Sequence, residues 1–234
     1  MIEFEAAGVT IPVDPRAGSG RTLTLLEPLT CTLAEARVAV IGANGSGKST
    51  LARLVNGLRP PTTGRVITCG LNVATHGAAV RSRVGFVFTD PDAQLVMPTA
   101  VEDVALSLRR IPDACDRAER AREVLSRFGL ADHVHTPVHA LSGGQKQLLA
   151  LAGVLATNPD VLVCDEPTTL LDLRWRRVVD DLLDAVPAQV LHVTHDLDAA
   201  ARAERVLVLD SARVVFDGSA DRAVAAYRDL MAVR

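Results

Sequence analysis

The chain has 234 residues, 48% of them hydrophobic and 23% charged, which describes a folded globular protein of one large domain or one domain with an inserted subdomain. Lys and Arg number 25 against 28 Asp and Glu, and the resulting formal charge of −3 speaks against a chain held mainly by nucleic-acid phosphates. Aromatic residues make up only 3%, so base-stacking platforms are poorly supported too, and no nucleic-acid partner is expected.

The first 35 residues alternate weakly. Pro12, Pro15 and the Gly18-Ser19-Gly20 tip predict short strands joined by a loop. A strand over 37–41 then runs straight into Gly42-Ala43-Asn44-Gly45-Ser46-Gly47-Lys48-Ser49-Thr50, and a helix is predicted from Ser49 to about Asn56, ending near Gly57 and Pro60-Pro61. Strands follow at 66–68 and 84–88. Thr99-Ala100-Val101-Glu102 has the spacing of a capping box, and helices are predicted to dominate from there to about Ala156. One of these covers 116–128, with an apolar stripe of Ala118, Ala121, Val124, Leu125 and Phe128. After the turn Asn158-Pro159-Asp160, residues 161–164 read as a strand buried on both faces. A helix over 173–185, a strand over 189–193, strands at 206–209 and 214–216, and a helix from about 220 to 231 complete an α/β core with a mostly helical insert near 90–156.

The richest apolar run, 148–156, is shorter than the ~18–20 residues a membrane-spanning helix needs, and Met1-Ile2-Glu3-Phe4-Glu5 lacks the charge-then-apolar order of a signal peptide. Cys31, Cys69, Cys115 and Cys164 form no CxxC and no zinc spacing, so they read as free thiols in a reducing cytosol.

Gly42-x-x-x-x-Gly47-Lys48-Ser49 is a phosphate-binding loop pattern between an apolar strand and a helix. Its glycines let successive amides turn inward, and the helix start adds the positive end of its dipole. Lys48 is expected to reach the β- and γ-phosphates of a nucleotide, the Ser49 hydroxyl to sit on Mg²⁺, and Thr50 to contact the α-phosphate. Asp165 and Glu166 end the strand from Val161, at the carboxyl edge where open α/β sheets bind ligands. Asp165 suits a water-mediated hold on Mg²⁺, and Glu166 a base that orients the attacking water. His195 ends another apolar strand and is placed to hydrogen-bond a γ-phosphate, whereas His192, deeper in that strand, reads as structural. His133, His135 and His139 lack cysteine or carboxylate support for a metal and read as solvated or capping residues.

Leu141-Ser142-Gly143-Gly144-Gln145 offers a second anion site, because Ser142 caps a helix whose amides two glycines leave open. Two such sites for one nucleotide would be redundant within a monomer. They make sense if two chains face each other, each ATP touching the Lys48 loop of one and the Ser142 turn of the other.

In this order Gly42–Ser49, Leu141–Gln145, the strand ending in Asp165-Glu166, Leu171-Asp172 and His195 closely resemble the nucleotide-binding domain of ABC transporters, over almost the whole chain. The resemblance implies an α/β P-loop NTPase fold with an N-terminal β-subdomain and an inserted helical subdomain at about 90–156, residues 1–234 forming one nucleotide-binding domain. It also implies an ATPase using ATP and Mg²⁺ at a two-chain interface. Gly42, Asn44, Gly45, Ser46, Gly47, Lys48, Ser49 and Thr50 would hold the nucleotide. Ser142, Gly143, Gly144 and Gln145 would cap it from the neighbour, and Asp172 would belong to the loop linking the two sites. Ser49 and Asp165 would serve the metal; Glu166, His195 and Lys48 would serve hydrolysis.

Val84-Gly85-Phe86-Val87-Phe88-Thr89-Asp90-Pro91-Asp92-Ala93-Gln94-Leu95 and Gly144-Gln145-Lys146-Gln147 resemble the ATPases of energy-coupling-factor importers. The stretches 88–99 and 164–172 look most like the biotin-importer ATPase of that group, with cobalt, nickel or another vitamin as rival cargoes. The expected partners are a second ATPase domain, of the same chain or a homologue, a transmembrane coupling protein, and a small membrane protein that binds the substrate. The expected location is the cytoplasmic face of the cell membrane. A soluble ABC-type ATPase acting on ribosomes or DNA would carry two cassettes or a long coiled-coil insertion, and a pure binding module would lack Glu166. The sequence departs from the family in two places. Thr89 stands where a metal-contacting glutamine is expected, and Val13 where an aromatic residue would stack on adenine.

Overall fold

Residues 1–13, 22–169 and 171–232 are described by a computed structural model. In chain order they form β1 (Ile2–Pro12), β2 (Thr22–Leu33), β3 (Arg37–Gly42), α1 (Lys48–Val55), β4 (Thr63–Thr68), β5 (Leu71–Asn72), α2 (Gly77–Arg81), β6 (Val84–Val87), α3 (Ala100–Ser107) and α4 (Ala114–Arg127). There follow α5 (Gly143–Leu155), β7 (Val161–Asp165), α6 (Leu173–Ala185), β8 (Gln189–Val193), α7 (Leu197–Ala201), β9 (Arg205–Asp210), β10 (Arg213–Gly218) and α8 (Ala220–Ala232). Two compact units result. The first gathers Met1–Val84, Asp160–Asp165 and Pro187–Arg234; the second gathers Gly85–Pro159 and Glu166–Val186.

The first unit holds an antiparallel sheet, β2-β1-β4-β5. Its leading strands are long, 11 and 12 residues, where the weak alternation predicts short ones. The reason lies in the pairing: the β1–β2 register shifts between Phe4 and Ala7, again before Val9 and again before Thr10, and Ala6 has φ +46. Each bulge turns the following side chains to the other face, so a continuous strand loses its period of two. The predicted tip around Pro15 and Gly18-Ser19-Gly20 lies outside the described residues.

A second sheet runs, within this unit, in the order β10-β9-β3-β8-β7. β3 is parallel to β8 and β9, β7 is parallel to β8, and β10 pairs antiparallel with β9. All five residues of β7 are buried, as its unbroken apolar run predicts. Ala39, Ile41, Val206 and Val208 pack with Ala200 of α7 and with Ala220 and Ala223 of α8. α1 buries Leu51, Ala52, Leu54 and Val55 and packs on β3, β7 and β8. Arg205 ties the β9–β10 ribbon to the end of β2: it forks onto Asp217 at 2.6 and 2.7 Å and reaches Thr32 O at 2.8 Å and Glu35 at 3.2 Å. Parallel register brings the carboxyl ends of β3, β8 and β7 to one sheet edge, with Val40 beside Val193 and Val193 beside Asp165.

The second unit is largely helical. α3 starts at the predicted capping box, Thr99 accepting from the third helical residue while Glu102 reaches back. Asp103 of the same helix accepts from the amides of Val96 and Met97, at 2.8 and 2.9 Å, and so fixes the chain entering it. α4 is capped by Asp113 and buries Ala121, Val124 and Leu125. α6 occupies the predicted 173–185, capped by Asp172. Among the described residues no helix is long and apolar enough to cross a membrane.

Candidate functional site

β3 ends at Gly42 and the chain closes a tight turn, Ser46 N donating to Ala43 O at 3.1 Å. Gly47 then caps α1 with φ +103 and no side-chain cap, so the first helical amides are left for an anion. Glycine is required at both ends of the turn. A methyl group at Gly42 would lie 2.2 Å from Leu209 O, and one at Gly47 2.7 Å from Leu25 O. Asn44 and Gly45 are exposed at the tip, and Thr50 is half-buried on the first helical turn. The Ser46 hydroxyl is buried with no hydrogen-bond partner among the described residues, an unsatisfied polar group facing the turn.

Lys48 is only 6% exposed, and its ammonium donates to Gly42 O at 2.8 Å and Ala43 O at 3.1 Å. A buried charge held by loop carbonyls is a cation stored at an anion site. Ser49 Oγ donates to Asp165 Oδ1 at 2.9 Å, bringing the start of α1 and the end of β7 together. A serine hydroxyl that keeps its lone pairs beside a carboxylate is a hard-oxygen set that fits Mg²⁺. The thiol of Cys164, next to Asp165, is fully buried, and burial pushes its pKa well up, so it is chemically inert. His195 lies two residues past β8, exposed, in a segment anchored by Thr194 N donating to Val40 O at 3.0 Å; Asp196 after it caps α7. The first unit therefore brings together the Lys48 loop, Ser49 and Asp165, with His195 following the same sheet edge.

In the second unit Glu166 has φ +56, which a non-glycine residue seldom adopts, and Thr169 Oγ1 donates to its Oε2 at 3.0 Å. The strained backbone and this hydroxyl together fix where the carboxylate points. Ser142 caps α5 with a full capping box: Gln145 N donates to Ser142 Oγ at 3.3 Å, and Gln145 Oε1 accepts from Ser142 N at 2.8 Å. The hydroxyl spends a lone pair on this and keeps its O–H to donate. Gly143 is exposed, with nothing within 4 Å of a would-be Cβ. Asp172 Oδ1 accepts from Trp175 N at 3.0 Å.

Sequence reasoning missed the groups that hold these turns. His133, read as solvated or capping, contacts Gln145 Nε2 through its Nε2 at 2.7 Å, whereas His135 and His139 are exposed. Lys146 pairs with Asp92 at 2.8 Å, and Gln94 accepts from Phe88 N at 3.3 Å and donates to Ala150 O at 3.4 Å, so the stretch around Thr89 is tied to α5 twice. Trp175 lies in none of the motifs, and the signal that the sequence gives for it is that it is the chain's lone tryptophan.

A family model described as ABC transporter matches residues 26–169. A putative ABC transporter ATP-binding protein of Deinococcus radiodurans is 46% identical over 209 residues, 88% of this chain and 92% of that protein. The biotin transport ATP-binding protein BioM of Rhizobium etli is 42% identical over 234 residues, 99% of each. An energy-coupling factor transporter ATP-binding protein of Geobacillus kaustophilus is 41% identical over 193 residues, 79% of this chain and 68% of that one. Among solved structures, the dimeric ATP-binding cassette MJ0796 in a post-hydrolysis state with ADP and Pi superposes with a TM-score of 0.81 at 26% identity, covering 94% of this chain and 99% of that one. The chain belongs to the ABC transporter family, as an ATP-binding and ATP-hydrolysing subunit related to the energy-coupling-factor and biotin-transport ATPases.

Proposed function

We propose that this chain drives uptake of biotin through transmembrane partners, as one of two ATPase domains that close on ATP. The observation that carries this reading is the pairing of two differently built anion sites in one sequence. One is the uncapped start of α1 with its stored Lys48 ammonium; the other is the Ser142 turn at the start of α5. The 42% identity to a biotin-transport ATPase along the full length supports the cargo, and the dimeric form of the similar ADP- and Pi-bound cassette supports the two-chain arrangement. Residues 1–234 act as one nucleotide-binding domain with its helical part at about 90–156, on the cytoplasmic face of a membrane. A coupling protein and a small substrate-binding membrane protein complete the importer.

In the cycle, the amides after Gly47 and the Lys48 ammonium take the phosphates, and the Ser142 hydroxyl and α5 amides of the neighbour cover the γ-phosphate. Asn44, Gly45 and Ser46 line the turn, and Thr50 serves the α-phosphate. Glu166 orients water in line with the bond to ADP, and His195 holds that water and the γ-phosphate in register. Ser49 would hold Mg²⁺ directly and Asp165 through water; the ion supplies neutralisation of the phosphoryl oxygens. Asp172 links the two sites.

The test is a Glu166→Gln protein at saturating ATP, followed by light scattering. The reading expects a stable dimer that disperses when ATP is removed; a protein that stays monomeric refutes it. The cargo is tested separately, by labelled-biotin uptake in cells carrying the chain and its co-purified membrane partners. No uptake above an Lys48→Ala control rejects biotin.

A further inference from the structure

A glycine in the middle of a helical turn needs a reason, and at Gly144 the reason is steric. Its backbone is helical, so no left-handed conformation calls for glycine there. It is buried, unlike the exposed Gly143 beside it. A methyl group at Gly144 would fall 2.5, 2.6 and 2.7 Å from Cγ, Cδ1 and Cδ2 of Trp175. Three adjacent ring atoms at nearly equal distance mean that the methyl would land on the face of the indole. The ring therefore lies directly on the backbone of the phosphate-binding turn.

The other end of Trp175 is held as well. Its amide donates to Asp172 Oδ1, the cap of α6. One residue thus spans from the Asp172 cap to the Ser142–Gly144 turn: backbone on the first, ring on the second. The turn has two further ties, Gln145 to His133 and Lys146 to Asp92. Trp175 is the tie that lies on the backbone of Gly144 itself. Glycine at 144 and tryptophan at 175 form a size pair, the absent side chain of one making room for the ring of the other.

We infer that Trp175 is a positioning residue for ATP hydrolysis, setting the Ser142–Gly144 amides against the Asp172 cap so that the two turns move as one piece. This rests on the two-chain reading above. Trp175 touches no reacting atom; it acts through the turn that covers the neighbour's γ-phosphate. Its loss should therefore spare first binding of ATP at the Lys48 loop and impair the closed state.

The experiment uses the purified full chain, with steady-state kcat and KM, ATP affinity at a protein concentration that keeps it monomeric, and ATP-driven dimerisation in the Glu166→Gln background. Trp175→Ala is expected to lower kcat by about tenfold or more and to raise the concentration needed for dimers, while monomer ATP affinity stays within about twofold. Trp175→Phe, which keeps a flat ring, should stay within about threefold of the native kcat. Gly144→Ala should cost about a hundredfold, and adding Trp175→Ala to it should restore the rate to that of Trp175→Ala alone.

A Gly144→Ala protein with native kcat overturns the assignment, and so does a double variant no better than Gly144→Ala. If Gly144→Ala does not fold, the native-sequence ring still decides the matter. Trp175 is the chain's single tryptophan, so its emission reads the turn directly. Emission of the Glu166→Gln protein should change with ATP along the same concentration curve as dimer formation; an unaltered spectrum through full dimerisation overturns the assignment. Failure of Glu166→Gln to dimerise defeats the two-chain reading, whereas dimers with no Gly144–Trp175 exchange defeat the Trp175 role alone.

Discussion

Replacing Lys48 with methionine separates what the ammonium does for ATP from what it does for the fold. The side chain keeps nearly the same length and volume, so packing against the start of α1 is retained. The hydrogen bonds from the charged group that are lost include those to Gly42 O and Ala43 O. Ala43 O still accepts from Ser46 N, so the cost falls on Gly42 O, about 1–3 kcal/mol for a buried carbonyl that loses its donor. Removing an ammonium that is 6% exposed offsets part of this. Stability should therefore change by no more than about 1.5 kcal/mol. ATP binding should change more. On the proposed function the phosphates would draw the ammonium from the loop carbonyls to charged oxygens, and exchanging two such bonds would contribute about 2–3 kcal/mol, or roughly 30- to 150-fold in affinity. Urea unfolding and calorimetric titration with ATP give the two quantities on the same sample. A variant that binds ATP within twofold of the native chain refutes the cradle, and one that loses stability and binding in parallel refutes the separation.

Gly42→Ala puts a methyl group 2.2 Å from Leu209 O, on the strand paired with β3, so the β3–β9 edge must part; a loss of about 2–4 kcal/mol in urea unfolding and weakened ATP binding are expected, and unchanged values would show that the turn yields. Thr89→Gln restores the longer amide at the stretch tied to α5, and should alter the Mg²⁺ dependence or the partner-stimulated turnover; no change in either means the position is unimportant here. The thiols should react in a fixed order. Cys115 is exposed, burial pushes Cys31 up to about 11 and Cys69 upward, and Cys164 is fully buried and raised further. A raised pKa means fewer thiolates below it, so at pH 8 a disulfide reagent should modify Cys115 first and Cys164 only on unfolding; equal rates for Cys31 and Cys115 would contradict the burial.

The geometry of the two glycine-bearing turns was legible because it is written in local chemistry. A turn this tight needs glycine where a methyl would strike Leu209 O or Leu25 O, and a helix start such as that of α5 needs a short capping residue such as Ser142. Both requirements act within a few residues, so spacing reports them. β7 and α6 were legible for a similar reason: one is buried along its whole length, and the other starts at the Asp172 cap. β1 and β2 were not, because bulges break the alternation that would have shown their length.

What holds the turns in place belongs to a different class of information. Gly144 reads as one of two interchangeable glycines in a phosphate-binding motif, yet a side chain at Gly143 would meet nothing and one at Gly144 would strike an indole from another helix. The same residue type thus answers to two constraints, one from the ligand and one from the fold, and spacing along the chain cannot tell them apart. The strained φ of Glu166 is similar: the sequence supplies a carboxylate at a strand end, but its aim is set by Thr169 and by a backbone conformation that no local pattern announces. The chemistry of such a site can be read from residues in order, whereas the precision with which it is presented depends on contacts between residues distant in the chain, and in this protein Trp175 is the contact on which that precision can be measured.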